Sequence, residues 1–313
     1  MAIDSQSRLY TGAQDRDSMI ELLTAARTAD RITDYPSIVD LHEELAVRRV
    51  RDQTRLWFDG EELVAFAFVD SYNTLCFEFS SDSASPGITS EIVAWGVACI
   101  RRTTQDRGES SALHASCRAD DSERIALLRR HQFLKKEIQT LQLVRSLAGP
   151  IPTPRIPAGF CIRHVAGEQE VAALVALHRA AFGTQNMTVE QRLAMMRVPD
   201  YDPELDLLAI SPEGRFAAYC MCSINQEENE RTGRSEGYTD PVATHPDFQR
   251  RGLARALLLT GFHKLKQRDI DTAVLHTSSN NIAMQRTAQA VGYRVQATKL
   301  WFAKPVSLAE TVG

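Results

Sequence analysis

Four of the chain's 12 prolines fall within one short run, Pro150 to Pro157, in the segment SLAGPIPTPRIPAG. Proline fixes φ and has no backbone N–H, so this run is neither helix nor interior strand. It reads as a linker over 147–158, between domains predicted at 1–146 and 159–313. Each segment has the length of an ordinary domain, about 150 residues.

The two segments then repeat one order of elements. In the second, Phe160–Val165 is strand-like, and Val171, Leu174, Val175, His178 and Phe182 recur at helical spacing. Leu205–Ile210 and Phe216–Ile224 read as a hairpin, followed by a short strand Val242–Thr244 and a helix Leu253–Leu265. Ala273–His276 is a strand, Ile282–Val291 a helix and Lys299–Phe302 a closing strand. The first segment runs in parallel: a helix near Asp15–Thr28, a hairpin around Asp59-Gly60, a strand Leu75–Phe79 and a helix Glu91–Ile100. A strand Leu113–Cys117, a helix Ser122–Arg130 and a closing strand Leu141–Val144 complete it. The spacing from Phe133 to Leu141 matches that from Tyr293 to Trp301. The pattern repeats with little residue identity, and it predicts an α/β (α+β) sheet flanked by helices in each half.

Composition excludes several classes. Hydrophobic residues make up 43% of the chain, enough for packed cores and against wholesale disorder. The longest uncharged apolar stretch, Ile92 to Ile100, is far below the ~18 residues of a membrane span. Asp4 and Arg8, with no apolar block beside them, predict no signal peptide. A net charge of -4 argues against a general nucleic-acid binder. The six cysteines are scattered without metal-ligand spacing, which fits free thiols in the cytoplasm and predicts no metal.

The stretch that carries chemistry is Asp240–Arg255, DPVATHPDFQRRGLAR. A strand ends near Thr244, Pro246 breaks it, and Gln249-Arg250-Arg251-Gly252-Leu253-Ala254 leads into a helix. Residues 248–268 hold six basic side chains (Arg250, Arg251, Arg255, Lys264, Lys266 and Arg268) and no acidic one. The first N–H groups of a helix lack partners and its dipole attracts anions there. A glycine lets the backbone approach a phosphate closely, so a pyrophosphate is the natural ligand.

At these residues the chain resembles the GNAT superfamily of acyl-CoA-dependent N-acetyltransferases. Gln249, Gly252 and Ala254 stand as the Gln/Arg-x-x-Gly-x-Gly/Ala signature, and Asn281 followed by Gly292 and Tyr293 fits a second motif. The resemblance covers about 160–303 and implies two tandem GNAT-like domains, each a mixed, mostly antiparallel sheet, the first a degenerate copy. It implies acetyl-CoA as co-substrate and transfer to a primary amine of a small molecule or peptide. A non-catalytic acyl-CoA-binding or sensor protein is the alternative. Backbone groups of Val242, Ala243 and Thr244 would pair with the pantetheine arm, with an N–H near Ala243 polarising the thioester carbonyl. Backbone N–H groups of Arg250, Arg251, Gly252, Leu253, Ala254 and Arg255 would hold the pyrophosphate. Asn281 would touch the pantetheine or the lower part of CoA, a place that also suits a helix N-cap. No nucleic acid or membrane partner is implied, and a homodimer is compatible.

Transfer needs an amine made neutral and a thiolate protonated. Asp240 stands at the entry to the signature strand, either to accept the amine's proton or to orient strand and ammonium. Glu236, Tyr238 and Asp240 alternate, so in extended backbone they face one side. The superfamily often places an acidic tyrosine seven residues after the motif asparagine; here that residue is Ala288. Tyr238, Tyr219 or water is left for the role. His178 reads as a packed histidine, His245 as a turn residue, and Cys220 and Cys222 as small buried hydrophobes. The acidic and basic stretch 225–236 reads as a solvated loop.

The first half lacks such a signature. Its counterpart segment, SSDSASPGITS between Phe79 and Glu91, has one glycine and no base, and residues 56–100 hold seven acids with no Lys or Arg. A polyanionic cofactor is repelled there.

Overall fold

The computed structural model describes residues 6–80, 86–105 and 111–307. In chain order its elements are β1 (Gln6–Leu9), α1 (Ala13–Ala26), α2 (Ile38–Ala46), α3 (Arg48–Asp52), β2 (Thr54–Asp59), β3 (Glu62–Val69), β4 (Leu75–Phe79), α4 (Pro86–Gln105), β5 (Ser111–Arg118), α5 (Ser122–Arg130) and β6 (Leu134–Ser146). There follow β7 (Cys161–His164), α6 (Val171–Phe182), α7 (Val189–Met196), β8 (Asp206–Ile210), β9 (Phe216–Met221), α8 (Gln226–Thr232), β10 (Glu236–Tyr238), β11 (Val242–Thr244), α9 (Leu253–Lys266), β12 (Thr272–Ser278), α10 (Ile282–Ala290) and β13 (Arg294–Val306). Contacts divide them into two units, one taking the chain up to Ile138 together with the part from Lys299, the other Gln139–Thr298.

In unit 1, β1, β2, β3 and β4 form an antiparallel sheet. Gly60, at φ +61, turns the β2–β3 hairpin. Ala65 to Val69 are buried on both faces of β3, as befits a central strand covered on each side. Against it α4 brings Ile88, Ile92 and Trp95, whose ring meets Trp57 edge-on at 6.1 Å. Ser37 and Asp40 form a capping box that starts α2.

In unit 2, β7, β8, β9 and β11 form one antiparallel sheet. β12 has β10 parallel on one side and Thr140–Ser146 of β6 antiparallel on the other. Leu253, Leu257, Leu258, Phe262 and Leu265 of α9 pack on Leu207, Ala218, Ala273 and Leu275, the main core of the unit. On the opposite face, Leu174 and Leu177 of α6 meet Leu208, Tyr219, Met221 and Ala243.

The repeat is visible residue by residue, at a constant separation of 160. Asp121 and Asn281 each cap a nine-residue helix through the side chain. Leu128 and Ala288 are the fully buried positions of those helices. Gln132 and Gly292 both take positive φ just past the helix end, and Phe133 and Tyr293 are buried next. A 13-residue strand follows each. These closing strands, predicted at 141–144 and 299–302, are much longer, because only their middles are apolar enough to be read. β6 begins in unit 1 and ends in unit 2, while Lys299–Val306 of β13 pairs with β5 in unit 1.

The expectation of a solvated loop at 225–236 is corrected: Gln226–Thr232 is a helix. No apolar stripe announces it. It is held instead by polar contacts, Asn225 donating to the buried Glu228 carboxylate. No helix among the described residues is long and apolar enough to cross a membrane.

Candidate active site

The strand predicted to lead into the signature is broken in two. Ser223 of the chain after β9 pairs with Tyr238, and Cys220 pairs with Val242. Three steps along one strand therefore oppose four along the other, which is a β-bulge at Thr239–Pro241. Before it, β10 runs beside β12, and Thr239 donates its N–H to Val274 O at 2.9 Å. After it, β11 pairs with β9 alone and forms a sheet edge. The strand thus leaves β12 as it passes Asp240, and one flank of β11 opens.

The pairing phase says which groups face the opening. Pro241 O accepts from Met221 N, and His245 N donates to Ala217 O, both toward β9. Bonding alternates along an antiparallel strand, so Ala243 is also turned toward β9. The outward N–H groups are those of Val242 and Thr244. Gln249 Nε2 donates to Thr244 O at 3.4 Å and ties the strand end to the following loop.

That loop delivers a helix N-terminus. Arg250 lies at φ +60 and Gly252 at φ +87, and α9 starts at Leu253 with no side chain capping it. The N–H groups of Leu253, Ala254 and Arg255 are its unpaired first-turn donors. A Cβ placed on Gly252 meets no atom within 4 Å, so the space in front of the helix is open. Arg250, Arg251 and Arg255 are exposed around it. The other three bases lie at or just past the far end of the 14-residue helix, about 20 Å away at 1.5 Å per residue. Lys264 and Arg268 pair with Glu204, Arg268 also with Asp202, and Lys266 donates to the carbonyls of Ala148 and Gly149. Half of the basic cluster seen in the sequence therefore holds the fold together rather than surrounding the helix start.

Asn281 Oδ1 accepts from Met284 N at 3.1 Å, so it caps α10. The Nδ2 of this exposed side chain has no partner among the described residues.

Across the bulge a second group assembles. Gly237 faces Leu265 of α9, so Glu236 and Tyr238 face the other way. Leu275 belongs to the core beneath α9, which turns Val274 and His276 to that same opposite face. There His276 Nδ1 lies 3.3 Å from Asp240 Oδ2, and the rings of Tyr238 and His276 are near parallel at 6.0 Å. Asp240 Oδ1 is buried with no hydrogen-bond partner. Tyr238 and Asp240 do share a face, and they meet on His276, which sequence reasoning missed. The only signal for His276 was a histidine alternating with Leu275 in an apolar strand.

The remaining candidates are structural in position. His178 Nδ1 and the Tyr219 hydroxyl share a 2.6 Å hydrogen bond, and Phe182 lies against the imidazole at 4.5 Å. Burial, with Arg192 second, pushes the His178 imidazole down to about 4. His245 Nδ1 accepts from Asp247 N and caps a short turn. Cys220 and Cys222 are buried, their sulfurs 3.7 Å apart, and the contact with Cys222 together with burial pushes the Cys220 thiol well up. A thiol so placed is no nucleophile. Ala288 is fully buried, and the hydroxyl of Tyr293 in the same core is bonded to Thr239 Oγ1 at 2.6 Å. No group of three or more metal-ligating side chains occurs among the described residues.

Unit 1 has a different cluster beside β4. Arg124 lies over the rings of Phe77 and Phe79 and pairs with the buried Glu78, which Arg27 also holds. The expected loop without bases falls partly on residues 81–85, outside the described residues.

Residues 171–293 match the Acetyltransferase (GNAT) family. Within that segment the chain is similar to the GNAT superfamily. Its whole length has the tandem GNAT fold: a GCN5-related N-acetyltransferase from Sphaerobacter thermophilus superposes with a TM-score of 0.70 at 20% identity, covering 96% of both chains. A tandem GNAT protein from the clavulanic acid biosynthesis pathway gives 0.68 at 15% identity, covering 97% of this chain and 99% of that one. Among curated proteins, the mycothiol acetyltransferase of Tsukamurella paurometabola is 32% identical over 49% of this chain and 54% of its own length. That of Kineococcus radiotolerans is 30% identical over 53% of each. The chain spans about half the length of the curated relatives it matches. The GNAT match lies in unit 2 and contains the bulge, the open strand edge and the uncapped helix start.

Proposed function

We propose that the chain transfers an acetyl group from acetyl-CoA to a primary amine of a small molecule or peptide, by direct attack in a ternary complex in the cytoplasm. The observation that carries this reading is the pairing of an open β-edge with an uncapped helix start inside the segment matching the GNAT family. Val242 and Thr244 offer outward backbone groups to the pantetheine arm, as an added strand would use them. The N–H groups from Arg250 to Arg255 and the exposed arginines suit the pyrophosphate. The thioester carbonyl would then accept from an outward N–H beside Ala243, which stabilises the oxyanion. Asn281 Nδ2 suits the lower part of CoA. Asp240 and Tyr238 stand across the bulge, where the amine is deprotonated and the thiolate protonated. Because the relatives described above are named mycothiol acetyltransferases, the amine of that reaction is the first acceptor to assay.

The absence of a hydroxyl at Ala288 favours a second reading, a domain that holds acyl-CoA without turnover. Titration with acetyl-CoA and thiol release on an amine panel separate the two. The transferase reading expects one acetyl-CoA per chain and thiol release that falls at least tenfold in Asp240→Asn. Binding without thiol release on any amine supports the second reading, and two equivalent acetyl-CoA sites overturn the assignment to unit 2 alone.

A further inference from the structure

We propose that His276, held by Asp240, is the group that takes the proton from the acceptor amine. This rests on the transferase reading and names the base within the same site. Asp240 itself is badly placed for direct contact. One oxygen, Oδ1, is buried from solvent, and the other faces the imidazole. The accessible end of the pair is the ring: the His276 side chain is 34% exposed and that of Asp240 24%.

The pairing also selects the tautomer. A carboxylate 3.3 Å from Nδ1 accepts a hydrogen bond from it, so the proton of the neutral ring resides on Nδ1 and the lone pair on Nε2. The near-parallel Tyr238 ring limits rotation of the imidazole. The groups around it leave the assignment simple. From β10 and the bulge come Asp240, Tyr238 and Glu236, the last 3.6 Å from Arg234. From β6, Gln142 stands opposite His276, with Thr140 and Val144 on the same face, none of them ionisable near neutrality. Among the described residues the only carboxylate in contact with the ring is Asp240, which steadies the imidazolium as it forms.

The step balances without another reactant. Nε2 removes one proton from the ammonium. Once that proton has passed to water, the neutral nitrogen bonds to the thioester carbonyl carbon, the nitrogen of the tetrahedral adduct gives its second proton to Nε2, and the C–S bond breaks as CoA thiolate leaves. The imidazolium proton then passes to the thiolate or to water.

The first test needs no acceptor. Long-range proton–nitrogen NMR of the intact protein, with the His276 signals identified by their loss in His276→Gln, should show Nδ1–H and a bare Nε2. In Asp240→Asn the signal should move toward the other tautomer. An Nε2–H ring in the wild type, or a tautomer unchanged in Asp240→Asn, overturns the proposal. The second test uses glucosamine and hydroxylamine as acceptors. His276→Gln should lower kcat for glucosamine about 100-fold, leave the KM for acetyl-CoA unchanged and flatten the acidic limb of the pH profile. With hydroxylamine, an amine already neutral at pH 7, the loss should stay below about tenfold, under the range of a general-base contribution. Equal losses with both acceptors would sink the assignment. If neither amine is acetylated by the wild type, the transferase reading suffers, and the tautomer still decides the role of His276.

Discussion

Gly252 is the residue at which the fold would meet the proposed ligand. Its φ of +87 suits glycine, and the space around it is open. Gly252→Ala adds only the left-handed penalty, about 1 kcal/mol. Gly252→Glu adds a carboxylate where the proposed pyrophosphate would approach, and two lost charge-assisted bonds would correspond to about 100-fold in affinity. Calorimetric titration should show acetyl-CoA binding little changed in the alanine variant and nearly lost in the glutamate one; equal effects would contradict the placement. His178 gives a pH prediction. Its folded value, about 4, lies below the ordinary 6.5, so the fold prefers the neutral ring. That contribution is complete above 6.5 and is lost as pH falls through 4. Melting temperature should therefore drop over this window, and His178→Gln should drop less. The place of Gly252 ahead of α9 was legible because its left-handed φ suits glycine. His276 was not, because its partner is 36 residues away and no local pattern marks the meeting.

At the scale of elements, α8 shows what periodicity misses. QEENERT has no apolar face, yet it positions the strand that carries Tyr238. Asn229 Nδ2 donates to Glu236 O at 2.8 Å and Asn229 Oδ1 accepts from Glu236 N at 3.0 Å. The amide thus pairs with β10 as a neighbouring strand would, at the end opposite Asp240. Asn229→Ala should cost about 1 kcal/mol, since it leaves two half-buried backbone groups of Glu236 without their partner. It should also lower kcat more than the KM for acetyl-CoA, because β11 and α9 are left intact. Denaturant unfolding and steady-state rates check the two halves of this expectation. The hairpins and α6, α9 and α10 were readable because alternation and helical spacing fit them. The bulge was not, since it is a mismatch between two strands and neither strand shows it alone.

At the scale of the molecule, the proline run and the folding units do not fall in the same place. The run at 150–157 marks where composition changes, while pairing is decided by the two 13-residue strands. A fragment 159–313 would keep β12 but lose Thr140–Ser146, the strand antiparallel to it. It would also carry Lys299–Val306 without β5, the strand those residues pair with. Unpaired edges of this kind associate rather than fold. A fragment 139–298 keeps every strand pairing of unit 2, with Leu143 and Leu147 still buried in the core under α9. The expected outcome is a cooperative melt and acetyl-CoA stabilisation for 139–298, and aggregation or a featureless melt for 159–313. A cooperative melt of 159–313 at the same temperature would show that the exchanged strands contribute little. The reason to expect otherwise is the pairing itself: seven residues of β12 lie in register with Thr140–Ser146, and no other described strand covers that side of Leu275 and Thr277.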